Sequence, residues 1–105
     1  PLFNDTATTE IYTGCRSSAA SDVYKRQGDG SLHQRFIIDV GHRQTLLVAH
    51  NLELADRVPV GMGDRVYVRG LYEWNDLGGL VHWTHNDPME SEQGGWVRYR
   101  RKVYA

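Results

Sequence analysis

A chain of 105 residues holds one domain and is too short for two. Its 40% hydrophobic and 24% charged residues are the proportions of an ordinary globular protein with a modest core. A formal net charge of −1 removes the simplest case for non-specific nucleic-acid binding, which needs a surplus of Lys and Arg to displace counterions.

The first 27 residues, PLFNDTATTEIYTGCRSSAASDVYKRQ, are rich in Thr, Ser and Ala and hold neither a period of 2 nor one of 3.6. The stretches 4–13 and 16–27 resemble translated sequencing-library adapters, of the kind met at the ends of fragmentary metagenomic proteins. We therefore read 1–27 as a non-native, weakly structured segment, the alternative being a genuine, weakly ordered arm. Cys15, the only cysteine, lies within it, so no internal disulfide can form. The chain shows no apolar signal-peptide core and no run near the roughly 20 apolar residues that span a bilayer.

Residues 28–105 read as one mostly β domain. After the turn cluster Gly28-Asp29-Gly30-Ser31, residues 33–40 alternate as a strand, with Phe36, Ile38 and Val40 on one face and His33, Arg35, Ile37 and Asp39 on the other. A hairpin-length connection leads to a second strand over 45–50, TLLVAH, apolar on both faces. Asn51 is placed to cap a short helix, LELADRV, which Pro59 ends. The longest strand runs over 65–74, with Val66, Val68 and Gly70 facing one way. Gly70 in mid-strand points to a bulge or sharp bend. A strand over 80–85, LVHWTH, a break at Asn86-Asp87-Pro88, a polar loop and two short strands near 96–99 and 103–104 complete the chain.

Strand, strand, short helix, strand, strand is the later part of a five-stranded OB barrel. The expected architecture is a small, open, OB-like antiparallel barrel with one short helix. Its first strand would be missing or replaced, leaving an unpaired edge. A plain antiparallel meander with a helix on one face is the rival.

The segments GDGSLHQRFIIDV, QTLLVAHNLELADRVP, GDRVYVRGLYEWN, GGLVHWTHNDP and GWVRYRRKVY resemble an uncharacterised bacterial family, domain of unknown function 3465, over residues 28–105. Its most specific pieces here are His33-Gln34-Arg35-Phe36, Ala49-His50-Asn51, Tyr72-Glu73-Trp74-Asn75 and His82-Trp83-Thr84-His85. The resemblance implies a short, exported parent protein, periplasmic or secreted, without an assigned activity.

Four histidines stand beside strand ends: His33, His50, His82 and His85. Asp87 follows, and Asp29 and Asp39 flank the first strand. Imidazoles with a carboxylate suit a divalent metal such as zinc, and imidazole is the usual base at neutral pH. By strict alternation, however, His82 and His85 face opposite sides of a strand. The plainer reading makes these histidines half-buried sheet residues with structural partners. Arginines (Arg35, Arg65, Arg69) interleave with Tyr67, Tyr72, Trp74 and Trp83, a combination that stacks bases or sugar rings; the plainer reading packs Trp74 and Trp83 in the core, with the arginines on a solvated face or paired with Glu73 and Asp39. Arg98, Arg100, Arg101 and Lys102 form a basic run near the C-terminus, read first as a solvated hairpin, the alternative being binding of nucleic acid or an anionic surface. No phosphate loop, CxxC pair or GxSxG is present.

The favoured function is a non-enzymatic binding module contacting an oligonucleotide or oligosaccharide through Arg35, His50, Tyr72, Trp74, His82 and His85. The alternative is a metal-dependent, phosphodiesterase-like hydrolase using His33, His50, His82, His85 and Asp87. A third reading is an interaction role for exposed edge strands.

Overall fold

The computed structural model of the chain describes residues 8–18, 21–25, 28, 30–41, 43–74, 76, 78–87, 89 and 94–105, with 8–13 as backbone. Eight strands run through it: β1 (Thr8–Ser17), β2 (Asp22–Lys25), β3 (Leu32–Gly41), β4 (Gln44–Asn51), β5 (Arg65–Glu73), β6 (Leu80–His82), β7 (Trp96–Tyr99) and β8 (Lys102–Tyr104).

Five of them close on themselves. β1 pairs with β3, β3 with β4, β4 with β6, β6 with β5, and β5 returns to β1. Only the β4–β6 contact is parallel. This is a closed five-stranded barrel of the OB kind, in which closure leaves the barrel strands few open edges. The other strands are additions. β2 pairs with β3 beside β1, β7 shares the β6-facing edge of β5, and β8 pairs with β7.

Strand alternation builds the core directly. Phe36 and Ile38 of β3, Leu46 and Val48 of β4, Val66, Val68 and Tyr72 of β5, Val81 of β6 and Val97 of β7 all point inward and are buried. These long-range pairings carry the fold; no local element would be stable alone.

The expected gap at the first strand does not exist. Residues 8–17 occupy that place, running antiparallel to β5 from Thr8↔Tyr72 to Arg16↔Arg65, with an irregularity between Tyr12 and Cys15. At its far end β1 meets β3 through Arg16↔Asp39 and Ser17↔Ile38.

The short helix expected after Asn51 is also absent: no helix occurs among the described residues. A single turn forms, in which the Asn51 carbonyl accepts from the Ala55 amide (3.1 Å) and Asn51 Oδ1 accepts from Glu53 N (2.9 Å). It does not propagate because barrel side chains take the next backbone groups. Gln34 Nε2 donates to the Val58 carbonyl (2.6 Å), and its Oε1 accepts from Val58 N (2.8 Å). Asp56 gives its carbonyl to the His50 ring (2.9 Å). Adding a turn would break these buried bonds, and helix nucleation is unfavourable to begin with.

The strand expected over 80–85 stops at His82. Trp83 takes a φ of 60°, in the left-handed region rare for a bulky residue, and turns the chain out of the sheet. Gly70 owes its place to this exit. A Cβ there would collide with the His82 carbonyl and approach Val81 and Thr84, so Gly70 serves a close backbone approach; the β1–β5 irregularity lies elsewhere, between Tyr12 and Cys15.

Candidate functional site

A cleft of about 250 Å³ opens on the outer face of the barrel. Its floor comes from the outward-facing rows of β3, β4 and β6, through His33, Ala49, Leu80 and His82. Asn51 and Glu73 stand at the strand ends. Tyr24 of β2 forms one wall; Trp83 and His85, beyond the left-handed turn, form the other. The second and third strands of an OB barrel, with the loops after its first and fourth strands, form the usual ligand face of this architecture. Here those strands are β3 and β4, and Tyr24 and Glu73 lie in or beside those loops.

Three imidazoles reach this cleft. His82 Nε2 faces Glu73 Oε2 at 3.5 Å, both side chains partly exposed. His85 is buried, bonds through Nδ1 to the Asn86 carbonyl (2.8 Å) and stacks at a tilt against Trp83, ring centroids 4.8 Å apart. His33 holds Nδ1 3.4 Å from both Ser31 Oγ and the Ser31 carbonyl, and its ring lies 5.7 Å from that of Tyr24. Strict alternation would separate His82 from His85. The turn at Trp83 breaks the alternation and brings both to one cavity.

Tyr24 is held from behind. Arg35, on the outer face of β3, lays its guanidinium over the Tyr24 ring at 4.3 Å. It also makes a bidentate pair with Asp22, at 3.0 and 2.7 Å. This pair lowers the Asp22 pKa and raises that of Arg35, the Arg35–Asp22 hydrogen bonds being the largest cause in each.

His50 lies elsewhere, inside the barrel with no exposed surface. Its Nε2 can only donate to the Asp56 carbonyl, so in the neutral ring Nδ1 accepts from the Thr84 hydroxyl at 2.6 Å. The ring is a neutral tautomer with both nitrogens satisfied. Burial pushes its pKa down, and nearby His85 and His33 act in the same sense, against the hydrogen bonds to Asp56 and Thr84.

The remaining expected residues scatter. Tyr72 packs in the core beneath Gly79, whose position a side chain would fill into the Tyr72 ring. Trp74 is exposed just past β5, outside the cleft lining. Asp87 is buried, and its Oδ1 accepts from Met89 N at 3.0 Å. Asp29 lies outside the described residues. Of the ligand set, the cleft therefore takes His82 and His85; of the metal set, it takes His33, His82 and His85. Among the described residues no three His, Cys, Asp or Glu side chains stand close enough to hold a metal ion. The arrangement offers aromatic walls, imidazoles and one carboxylate, which suit hydrogen bonding and stacking.

Tyr24, Asn51, Glu73 and Trp83 were not singled out together by sequence. Trp83 and Glu73 sit in the HisTrpThrHis and TyrGluTrpAsn pieces and were legible as residue types. Tyr24 falls within residues 1–27, which the sequence alone reads as non-native. Cys15 is buried beside β5; burial, then the Asp39 charge, raises its thiol pKa and disfavours the thiolate.

The class of protein is thus a small OB-type β-barrel with an extra edge strand and a C-terminal hairpin. A family model described as "Protein of unknown function (DUF3465)" matches residues 7–105, and the chain belongs to that family. The match takes in β1 and β2 as well as everything from Gly28 onward. No curated protein and no solved structure matches the chain.

Proposed function

We propose that the chain is a non-enzymatic binding module whose outer-face cleft receives one ring of a neutral, hydroxyl-rich ligand, such as a sugar unit of an oligosaccharide. The observation that carries this reading is the composition of the cleft wall. Tyr24 and Trp83 offer ring faces, while His33, His82, Asn51 and Glu73 offer hydrogen-bonding groups. Among the described residues none that lines the cleft is Lys or Arg, and Glu73 adds a carboxylate, so this lining disfavours a phosphate backbone. A volume of about 250 Å³ lies just below the usual range for drug-sized ligands and suits a single ring.

An exported parent belongs to the same proposal. The family resemblance carries it.

Tryptophan fluorescence tests the cleft. Trp83 lines it, so titration of neutral oligosaccharides should give a saturable change that Trp83→Phe abolishes and Trp74→Phe keeps. Single-stranded oligonucleotides should give none. No response to oligosaccharides at millimolar concentration, or a response surviving Trp83→Phe, would count against the reading.

A further inference from the structure

The C-terminal hairpin carries a second concavity, of about 360 Å³, remote in chemistry from the first. Four arginines line it: Arg65 on β5, Arg98 on β7, and Arg100 and Arg101 at the β7–β8 turn. Asp64 is the single carboxylate among the described lining residues, and it is engaged. Its Oδ2 accepts from the Tyr99 hydroxyl (2.6 Å) and from Gly61 N (2.8 Å). The Tyr99 bond is the largest cause of a lowered Asp64 pKa and a raised Tyr99 pKa. Among the described residues, none of the four guanidinium groups has a carboxylate within 4 Å.

Two local costs converge here. Tyr99 pairs with Lys102, so Arg100 and Arg101 alone make the hairpin turn, with φ of 49° and 68°. A two-residue turn with both φ positive is the I′ type, which strongly prefers Asn-Gly; two arginines there are strained. In addition, Arg65 is the cross-strand partner of Arg16, a like-charged pairing that sheets disfavour. Side chains that violate local preference on this scale mark a site with another demand on it.

We propose that this hairpin cleft binds a small ligand bearing adjacent phosphate groups. Arg100 and Arg101 of the turn line one concavity with Arg65 and Arg98, and arginine forks match phosphate oxygens bidentately. The tyrosine rings do not serve as base platforms. Arg98 already covers Tyr67 and Arg100 covers Tyr99, each at 5.2 Å. This favours capture of the phosphates over stacking of a nucleobase, and the overall charge of −1 disfavours long polyanions.

The test is calorimetric titration of the full chain with inorganic pyrophosphate, with orthophosphate and a single-stranded oligonucleotide as comparison arms. Pyrophosphate should bind saturably, and at least about tenfold more tightly than orthophosphate. The double variant Arg100→Asn/Arg101→Gly relieves the turn, so its Tm should rise by roughly 5 °C while pyrophosphate affinity falls at least about tenfold. Arg98→Gln, a change to an exposed side chain, should weaken binding comparably with Tm nearly unchanged, which guards against a misfolded double variant. Overturning results are no saturable pyrophosphate binding at millimolar concentration, full affinity in both variants, or binding of the oligonucleotide alone with a steep salt dependence.

Discussion

His50 and His82 sit on strands that are parallel neighbours, and the barrel uses them in opposite ways. His50 faces inward, has no exposed surface and spends both ring nitrogens on Thr84 and Asp56. His82 faces outward, is partly exposed and stands 3.5 Å from the Glu73 carboxylate. The difference is one of parity along a strand. Buried imidazole is tolerable only when its hydrogen bonds are complete, and completeness leaves nothing for a ligand. Thr84 and His85, adjacent in the chain, repeat the contrast: the first serves the core, the second the cleft.

The turn that divides core from cleft is the most sensitive point. Gly95 packs against it so closely that an added Cβ would collide with the Trp83 and Arg69 carbonyl oxygens, which are backbone and cannot swing aside. Gly95→Val should therefore cost more than about 4 kcal/mol or prevent folding, as seen by circular dichroism and denaturant melts. A stable, fully folded variant would mean the turn is not held as described.

Removing the inward histidine should rank next. His50→Ala leaves the Asp56 carbonyl and the Thr84 hydroxyl unpaired and opens a cavity, at a cost of about 2–4 kcal/mol in urea unfolding. The same group imposes a pH dependence. Its folded pKa lies below the unfolded value near 6.5, so between the two the unfolded chain binds more protons. The contribution is complete above about pH 6.5 and is lost as the pH falls toward the folded pKa. Unfolding midpoints measured from pH 8 to pH 5 should decline over that window. The more modest His50→Gln should flatten the decline; an unchanged slope would assign it to other groups.

Much of this was legible in advance. The strands β3 and β5 follow from alternation, β4 from an apolar run bounded by turns, and the succession of strands points to the later part of an OB barrel. His50 shares a face with Leu46 and Val48, but a strand apolar on both sides hides which face is inside, and the sequence alone places His50 among the ligand contacts. Tyr72 shares its face with Val66 and Val68 in the same way. Three features were not legible for physical reasons. The missing helix depends on Gln34 and His50 reaching across some 6–24 residues to claim backbone groups. The joining of His82 and His85 depends on a left-handed Trp83, which no propensity foretells. The first strand carries no period, and only its pairing partners reveal it.

The smallest stability effects should come from the outward pair, and they sharpen the comparison most. His82 and Glu73 are each more than a third exposed, so water solvates what the pair gains and side-chain entropy opposes it. His82→Ala and Glu73→Gln should each change unfolding free energy by no more than about 0.5 kcal/mol. If the cleft is a binding surface, the same two variants should weaken oligosaccharide binding several-fold, since each removes a hydrogen-bonding group from its wall. A residue that matters to a ligand and hardly to the fold is the signature of a site. Should both variants instead destabilise the chain as much as His50→Ala does, the outward imidazole would be structural, and the contrast between the two faces of the barrel would fail.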